Sequence, residues 1–155
     1  SHYQGIDIFS ERMKYKTYLV LLVDREHAQI FLLLNGAVGQ MKELKDDYVR
    51  KTVKHVGGVR DARDKVSRRI ELQLTRHLTN AGEQAGLFAE QNGIDALVIG
   101  THKPLFGKIK KNLPDSLRKK LMIEFVTELK GPFGDILKKV EKEIRNFEEV
   151  KIDEK

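Results

Sequence analysis

The sequence predicts an α/β fold: a mixed five-stranded sheet, opened by a β-meander and continued through β-α-β crossovers, with one long helix and two further helical segments packed on it. Three observations predict it. Three strand-like runs follow one another between residues 17 and 44, separated by short turns. A long stretch then repeats its apolar positions every three or four residues. After it, short apolar runs alternate with helical patterns, which calls for crossover helices and parallel strand neighbours.

The elements follow in order. Residues 1–16 show no clear period and read as an N-terminal tail or the remnant of an upstream domain. Tyr18–Asp24 is apolar on both faces, as a buried central strand should be. His27–Leu34 is a second strand. Asn35-Gly36 is a strong hairpin signal because both residues tolerate positive φ. Ala37–Leu44 returns as a third strand. Residues 45–60 form a polar loop, long enough in a compact domain to suggest a function. Asp61 is expected to cap a helix reaching about Asn92, with Ala62, Val66, Ile70, Leu74, Leu78, Ala81, Ala85 and Phe88 on its inner stripe. Asp95–Gly100 and Met122–Thr127 are strands. Leu105–Asn112 and Asp115–Lys120 are short helical pieces around Pro114. Gly131-Pro132 opens a last helix to about Phe147. One domain is expected over residues 17–150, with 151–155 a charged tail.

Composition narrows the function. Of 155 residues, 40% are hydrophobic and 34% charged, with no cysteine. Disulfides, thiolate nucleophiles and zinc–thiolate sites are therefore excluded, and a reducing, cytoplasmic location is expected. The run Tyr18–Val23 is too short to span a bilayer, so no membrane partner is expected. The net charge of +6 is concentrated in one place. Between Arg50 and His77 stand nine Lys/Arg and three acids, so this segment carries the whole excess. Such a concentration is the footprint of a phosphate-binding surface. The candidate RNA-binding residues are Lys51, Lys54, His55, Arg60, Arg63, Lys65, Arg68, Arg69 and Arg76. No aromatic side chain interleaves them, so RNA is expected to be read by shape and backbone.

A further pattern lies at the junction of loop and helix. A strand ending Leu22-Val23-Asp24 leads to a second strand, HAQIFLLLNG. The run His55-Val56-Gly57-Gly58-Val59-Arg60-Asp61-Ala62-Arg63 follows, then a strand of LVIG type, a helix around a Leu-Pro, a strand and a closing helix. This order resembles the middle domain of the archaeal and eukaryotic class-1 peptide-chain release factors. It is more similar still to bacterial and archaeal relatives whose loop has a histidine and a Gly-Gly pair shortly before Ala-Arg. The resemblance covers roughly residues 17–147. It implies that Gly57 and Gly58 match the glycines of the Gly-Gly-Gln loop that enters the ribosomal peptidyl-transferase centre. Glycine there allows close backbone approach to crowded RNA. The glutamine position is Val59, which has no side-chain amide or carbonyl to orient a water. Its backbone N–H remains, and an N–H aimed at developing negative charge still assists. Gly57, Gly58 and Val59 are thus a degenerate catalytic motif. The resemblance implies a domain that docks on the ribosome and tRNA, with peptidyl-tRNA ester hydrolysis impaired or absent. In lacking Gly-Gly-Gln the chain is similar to Pelota, which acts in ribosome rescue without hydrolysing the ester. Flanking domains of a longer parental protein are implied as well.

Other groups offer less. His55 lies beside lysines and reads as a phosphate contact before a general base. His27, His77 and His102 have no acidic partner at metal-ligand spacing, so neither a metal nor any cofactor is expected. Asp24 reads as a turn cap before a catalytic acid, and Asp46 and Asp47 are the other loop carboxylates. Gly100–Lys108 has six residues between glycines and Ile109 where a Walker loop needs Ser/Thr. Lys103, Lys108, Lys110, Lys111, Arg118, Lys119 and Lys120 form a second basic cluster, either a solvated surface or a second RNA-backbone contact. Two alternatives stand beside the translation reading: a non-catalytic protein-interaction module, and a nucleotide-binding α/β domain.

Overall fold

The structure, a computed structural model, describes residues 16–34, 36–45 and 60–153, with side chains in the last stretch from 65 to 149. Its elements are β1 (Thr17–Val23), β2 (His27–Leu34), β3 (Ala37–Lys45), α1 (Arg60–Gln91), β4 (Ala96–Thr101), a 3-10 turn (Lys103–Leu105), α2 (Phe106–Lys111), α3 (Asp115–Arg118), β5 (Leu121–Val126) and α4 (Phe133–Asp153). The strands form one mixed sheet in the order β3-β2-β1-β4-β5. The β1–β2 and β2–β3 pairs are antiparallel, and the β1–β4 and β4–β5 pairs are parallel. This is the α/β class that the sequence predicts, with strand limits within a residue or so of expectation.

The central strands are apolar on both faces because both faces are covered. Leu19, Leu21, Ile30, Leu97 and Ile99 point to one side, where α1 contributes Leu74, Leu78, Ala81, Ala85 and Phe88. Leu105, Ile109, Leu113 and Leu117, spaced by four, complete that layer from the β4–β5 connection. Val20, Leu22, Phe31, Val98 and Phe125 point to the other side, against Ile136, Val140 and Ile144 of α4. Phe31 meets Phe133 of α4 edge-to-face at 5.3 Å between ring centroids, a geometry that favours aromatic pairs.

Local signals explain the turns. Gly36 takes φ +76, as the hairpin reading requires. Asp24 accepts hydrogen bonds at Oδ1 from the backbone N–H groups of Glu26 (2.8 Å) and His27 (2.6 Å), so it is the expected turn cap. On β3, Val38 packs on the α4 side and Leu44 on the α1 side, although both are even-numbered. A register shift between Phe31 and Leu33 inserts one extra residue into β3, and a one-residue slip turns every later side chain to the opposite face.

The helix limits depart more. α3 ends at Arg118, two residues short of the expected Lys120. α1 begins at Arg60, so Asp61 lies inside its first turn instead of preceding it. α4 runs to Asp153, six residues past the expected end at Phe147. Glu148, the first residue past the expected end, is held in place. It is fully buried, and its Oε1 accepts from Lys16 Nζ (2.8 Å) and the Tyr18 hydroxyl (3.2 Å). A polar residue expected to lie past the helix end is instead an anchor between the chain's entry into β1 and the last turns of α4.

Candidate nucleic-acid interface

The site is built on α1. Thirty-two residues at 1.5 Å each give it a length of roughly 48 Å. The sheet uses only part of that length. His77 is buried where α1 meets the β1–β2 turn. Its Nε2 donates to the carbonyl oxygens of Asp24 (3.0 Å) and His27 (3.2 Å). Two carbonyl acceptors require the proton on Nε2. That turn marks the end of the strands, so residues before Leu74 lie beyond it. From Lys65 to Gln73 no side chain is buried, whereas from Leu74 onward the inner stripe is. The first fourteen residues, 60–73, therefore form an arm, roughly 21 Å of helix ahead of the first fully buried position, on which Val66, Ile70 and Gln73 are half-buried.

The arm has its own pattern. At about 100° per residue, Lys65, Arg69 and Arg76 fall within about 40° of one line, opposite the buried stripe. Arg68 lies beside that line, turned toward the side where α2 packs. All four are exposed, and none makes an ion pair with a described residue. The only acid between Lys65 and Thr79 is Glu71. Leu72, on the same exposed side, is 60% exposed. A row of exposed cations on a projecting helix suits phosphate groups, which need charge within reach and little else.

The other site residues that the sequence points to are placed less fully. Arg60 and Arg63 are on the helical backbone of the arm's first turn. Lys51, Lys54, His55, Gly57, Gly58 and Val59 lie outside the described residues, as do Asp46 and Asp47. Lys45 ends β3 opposite His27, at the same end of the sheet as the arm. The segment 46–59 thus connects that end of the sheet to the arm's far end.

The Gly100–Lys108 stretch is not a phosphate loop. Gly100 is inside β4, and a Cβ there would come within 2.7 Å of both Leu22 Cδ2 and Phe125 Cζ. It is glycine for packing. Residues 103–105 form a 3-10 turn and Gly107 is in α2. The second basic cluster divides once its partners are known. Lys110 pairs with Glu124 at 2.8 Å. Arg118 donates to the Leu113 carbonyl at 2.8 Å and lies 3.3 Å from Asp115. Lys120 donates to the Ile94 carbonyl at 2.9 Å. Lys103, Lys108, Lys111 and Lys119 are exposed and pair with no described carboxylate. Sequence reading missed this division, as it missed His77, since neither shows without the fold. Among the described residues no three His, Cys, Asp or Glu side chains group as metal ligands. No described helix is long and apolar enough to cross a membrane.

Comparison with solved structures supports the fold assignment. A structure described as an archaeal protein matches 90% of this chain and 38% of its own, at 16% identity and a TM-score of 0.57. An archaeal translation termination factor matches 96% of this chain and 41% of its own, at 16% identity and a TM-score of 0.56. Pelota from Archaeoglobus fulgidus matches 97% of this chain and 39% of its own, at 13% identity and a TM-score of 0.51. This chain thus spans about two fifths of each of those structures, and at such identities the likeness is one of fold. No curated protein matches in sequence. The family described as bacterial archaeo-eukaryotic release factor family 10 does match, over residues 11–145, and the chain belongs to that family.

Proposed function

We propose that this release-factor-like translation domain docks on tRNA and the ribosome through the basic segment running from Lys51 through the arm to Arg76. Ester hydrolysis of peptidyl-tRNA is impaired or lost, because Val59 stands where the Gly-Gly-Gln loop has its glutamine. The observation that carries the reading is the arm. Lys65, Arg68, Arg69 and Arg76 are exposed on a helix that projects past the sheet, without a described ionic partner. Gly57 and Gly58 let the segment ahead of that arm approach crowded RNA, and the Val59 N–H is the donor left to face the ester. His55, Lys51 and Lys54 contact phosphates. Flanking domains of a longer protein and a cytoplasmic setting belong to the same reading.

Two measurements test it. Affinity for tRNA falls steeply with ionic strength if several phosphates are neutralised. Arg68→Glu combined with Arg69→Glu weakens binding at least tenfold on this reading, and unchanged binding would sink it. Peptide release from peptidyl-tRNA on ribosomes is near background for the parent chain and rises in Val59→Gln. Robust release by the parent overturns the loss of hydrolysis. Absence of any gain in Val59→Gln breaks the match of Val59 to the glutamine position.

A further inference from the structure

The exposed lysines of α2 sit next to the arm, and the helix geometry says on which side. Ile109 of α2 points into the core. Lys110, one residue on, turns about 100° toward β5 and is held there by Glu124. Lys108, one residue back, turns as far the other way, toward α1. Asn112 marks the α1 side directly. Its side-chain Oδ1 accepts from Thr79 Oγ1 at 3.0 Å, and its backbone oxygen would clash with a Cβ at position 82. Lys111 falls on the solvent side next to Lys108. On α1, the residues facing α2 are Thr79, Gly82 and Gly86, and the same helical ribbon runs back through Thr75 and Leu72 to Arg68.

We propose that α1 and α2 together form a two-row cradle for the backbone of an RNA double helix. Lys65, Arg69 and Arg76 make the outer row. Arg68, Lys108 and Lys111 make the inner one. Glycine at 82 and 86 lets Asn112, which caps the end of α2, and Pro114 beyond it come close against α1. Lys108 and Lys111 thus stand on the helix next to that of Lys65, Arg69 and Arg76, with Arg68 on the side of α1 between them, so that phosphates of both strands can be met across one groove. An A-form duplex offers such a target, since its wide, shallow minor groove is read through backbone and shape. Single-stranded RNA is the poorer fit, because the exposed residues of either row offer no aromatic platform for a base. Residues 103–111 contain four lysines and no acid, so nothing on α2 offsets the charge of the inner row. This inference rests on the RNA-docking reading and adds a second element and a class of RNA to it.

The test is the salt dependence of binding to an RNA hairpin duplex, with a single strand of equal length beside it. Removing one cation that neutralises a phosphate lowers the slope of log K against log salt by about one. The Lys108→Ala/Lys111→Ala variant is expected to lower the duplex slope by about 2 and to leave the single-strand slope nearly unchanged. Lys110→Ala, whose ammonium is held by Glu124, leaves both slopes as they are. An unchanged duplex slope in the double variant overturns the cradle, and so does an equal fall on single strand and duplex. Tighter binding of polyglutamate than of the duplex at matched charge also overturns it, because the surface would then suit an acidic protein. The Arg68→Glu/Arg69→Glu variant separates the two levels. If it abolishes binding while the lysine pair is silent, only the second row is wrong. If neither has an effect, RNA docking itself fails.

Discussion

Gly100 shows how much a single hydrogen atom decides at the residue scale. It lies between Leu22 and Phe125, both buried. Neither side chain is the free end of something flexible, so a methyl group must displace packed core. Gly100→Ala is expected to cost about 1–3 kcal/mol, as overpacking does. At this chain length a thermal melt should show a fall of roughly 2–4 °C for each kcal/mol. A melt unchanged from the parent would mean that Leu22 and Phe125 have room to move. ATP should not raise the melting temperature, since the glycine that suggested a phosphate loop is occupied with packing. The sequence alone presents Gly100 and Gly57 as equals. Only the neighbours across the sheet tell a packing glycine from a loop glycine.

At the scale of elements, the same distinction governs α1. Gly82 and Gly86 look like weak points in a helix, where Gly costs about 1 kcal/mol relative to Ala. An exposed Gly→Ala change would stabilise. Here position 82 faces the Asn112 carbonyl, whose oxygen occupies the space a Cβ would need, and backbone yields less easily than a side-chain tip. Gly82→Ala is therefore expected to destabilise by about 3 kcal/mol, measured by denaturant unfolding, and a gain in stability would refute the close α1–α2 contact. Much of the element pattern was legible because it is local. The stripe of α1, the apolar runs of β1 and β4, the Asp24 cap and the positive φ at Gly36 each depend on residues a few positions apart. What was not legible depends on partners far away in the chain. The burial of Glu148 on α4 depends on residues 16 and 18, more than a hundred positions earlier. The division of the second basic cluster is set by Glu124 and by the carbonyls of Leu113 and Ile94. The arm itself was not legible, because Val66 and Ile70 continue the apolar stripe of α1 and their spacing does not show where full burial begins. The Gly57-Gly58-Val59 part of the site was legible as a motif and lies outside the described residues.

Across the whole molecule, the Lys16–Glu148–Tyr18 cluster, with Glu148 and Tyr18 buried, closes the body at the end remote from the arm. The Tyr18 phenol is held well above the ordinary phenol range, first by burial and then by the Glu148 charge and its hydrogen bond. The unfolded chain releases this proton near pH 10, while the folded chain keeps it. The contribution of Tyr18 to stability is thus intact below about pH 10 and falls as the pH rises further. Unfolding free energies of the parent should decline more steeply above that pH than those of Tyr18→Phe. Equal alkaline slopes would show that the phenol titrates freely in the fold. At neutral pH Tyr18→Phe should cost about 1–3 kcal/mol, since Glu148 loses a donor, and Glu148 Oε2 already has no partner. The cluster has a mechanical side too. It fastens the first strand of the sheet to the last helix, so a torque on either element acts on one corner. α1 reaches from near that corner, where Asp95 hydrogen-bonds Thr17, to the tip of the arm. A rotation of about 10° at the corner sweeps the far end of a helix this long through roughly 8 Å. α1 is then a lever, and an angular adjustment at the base becomes a displacement of several ångströms where Lys65, Arg68 and Arg69 stand.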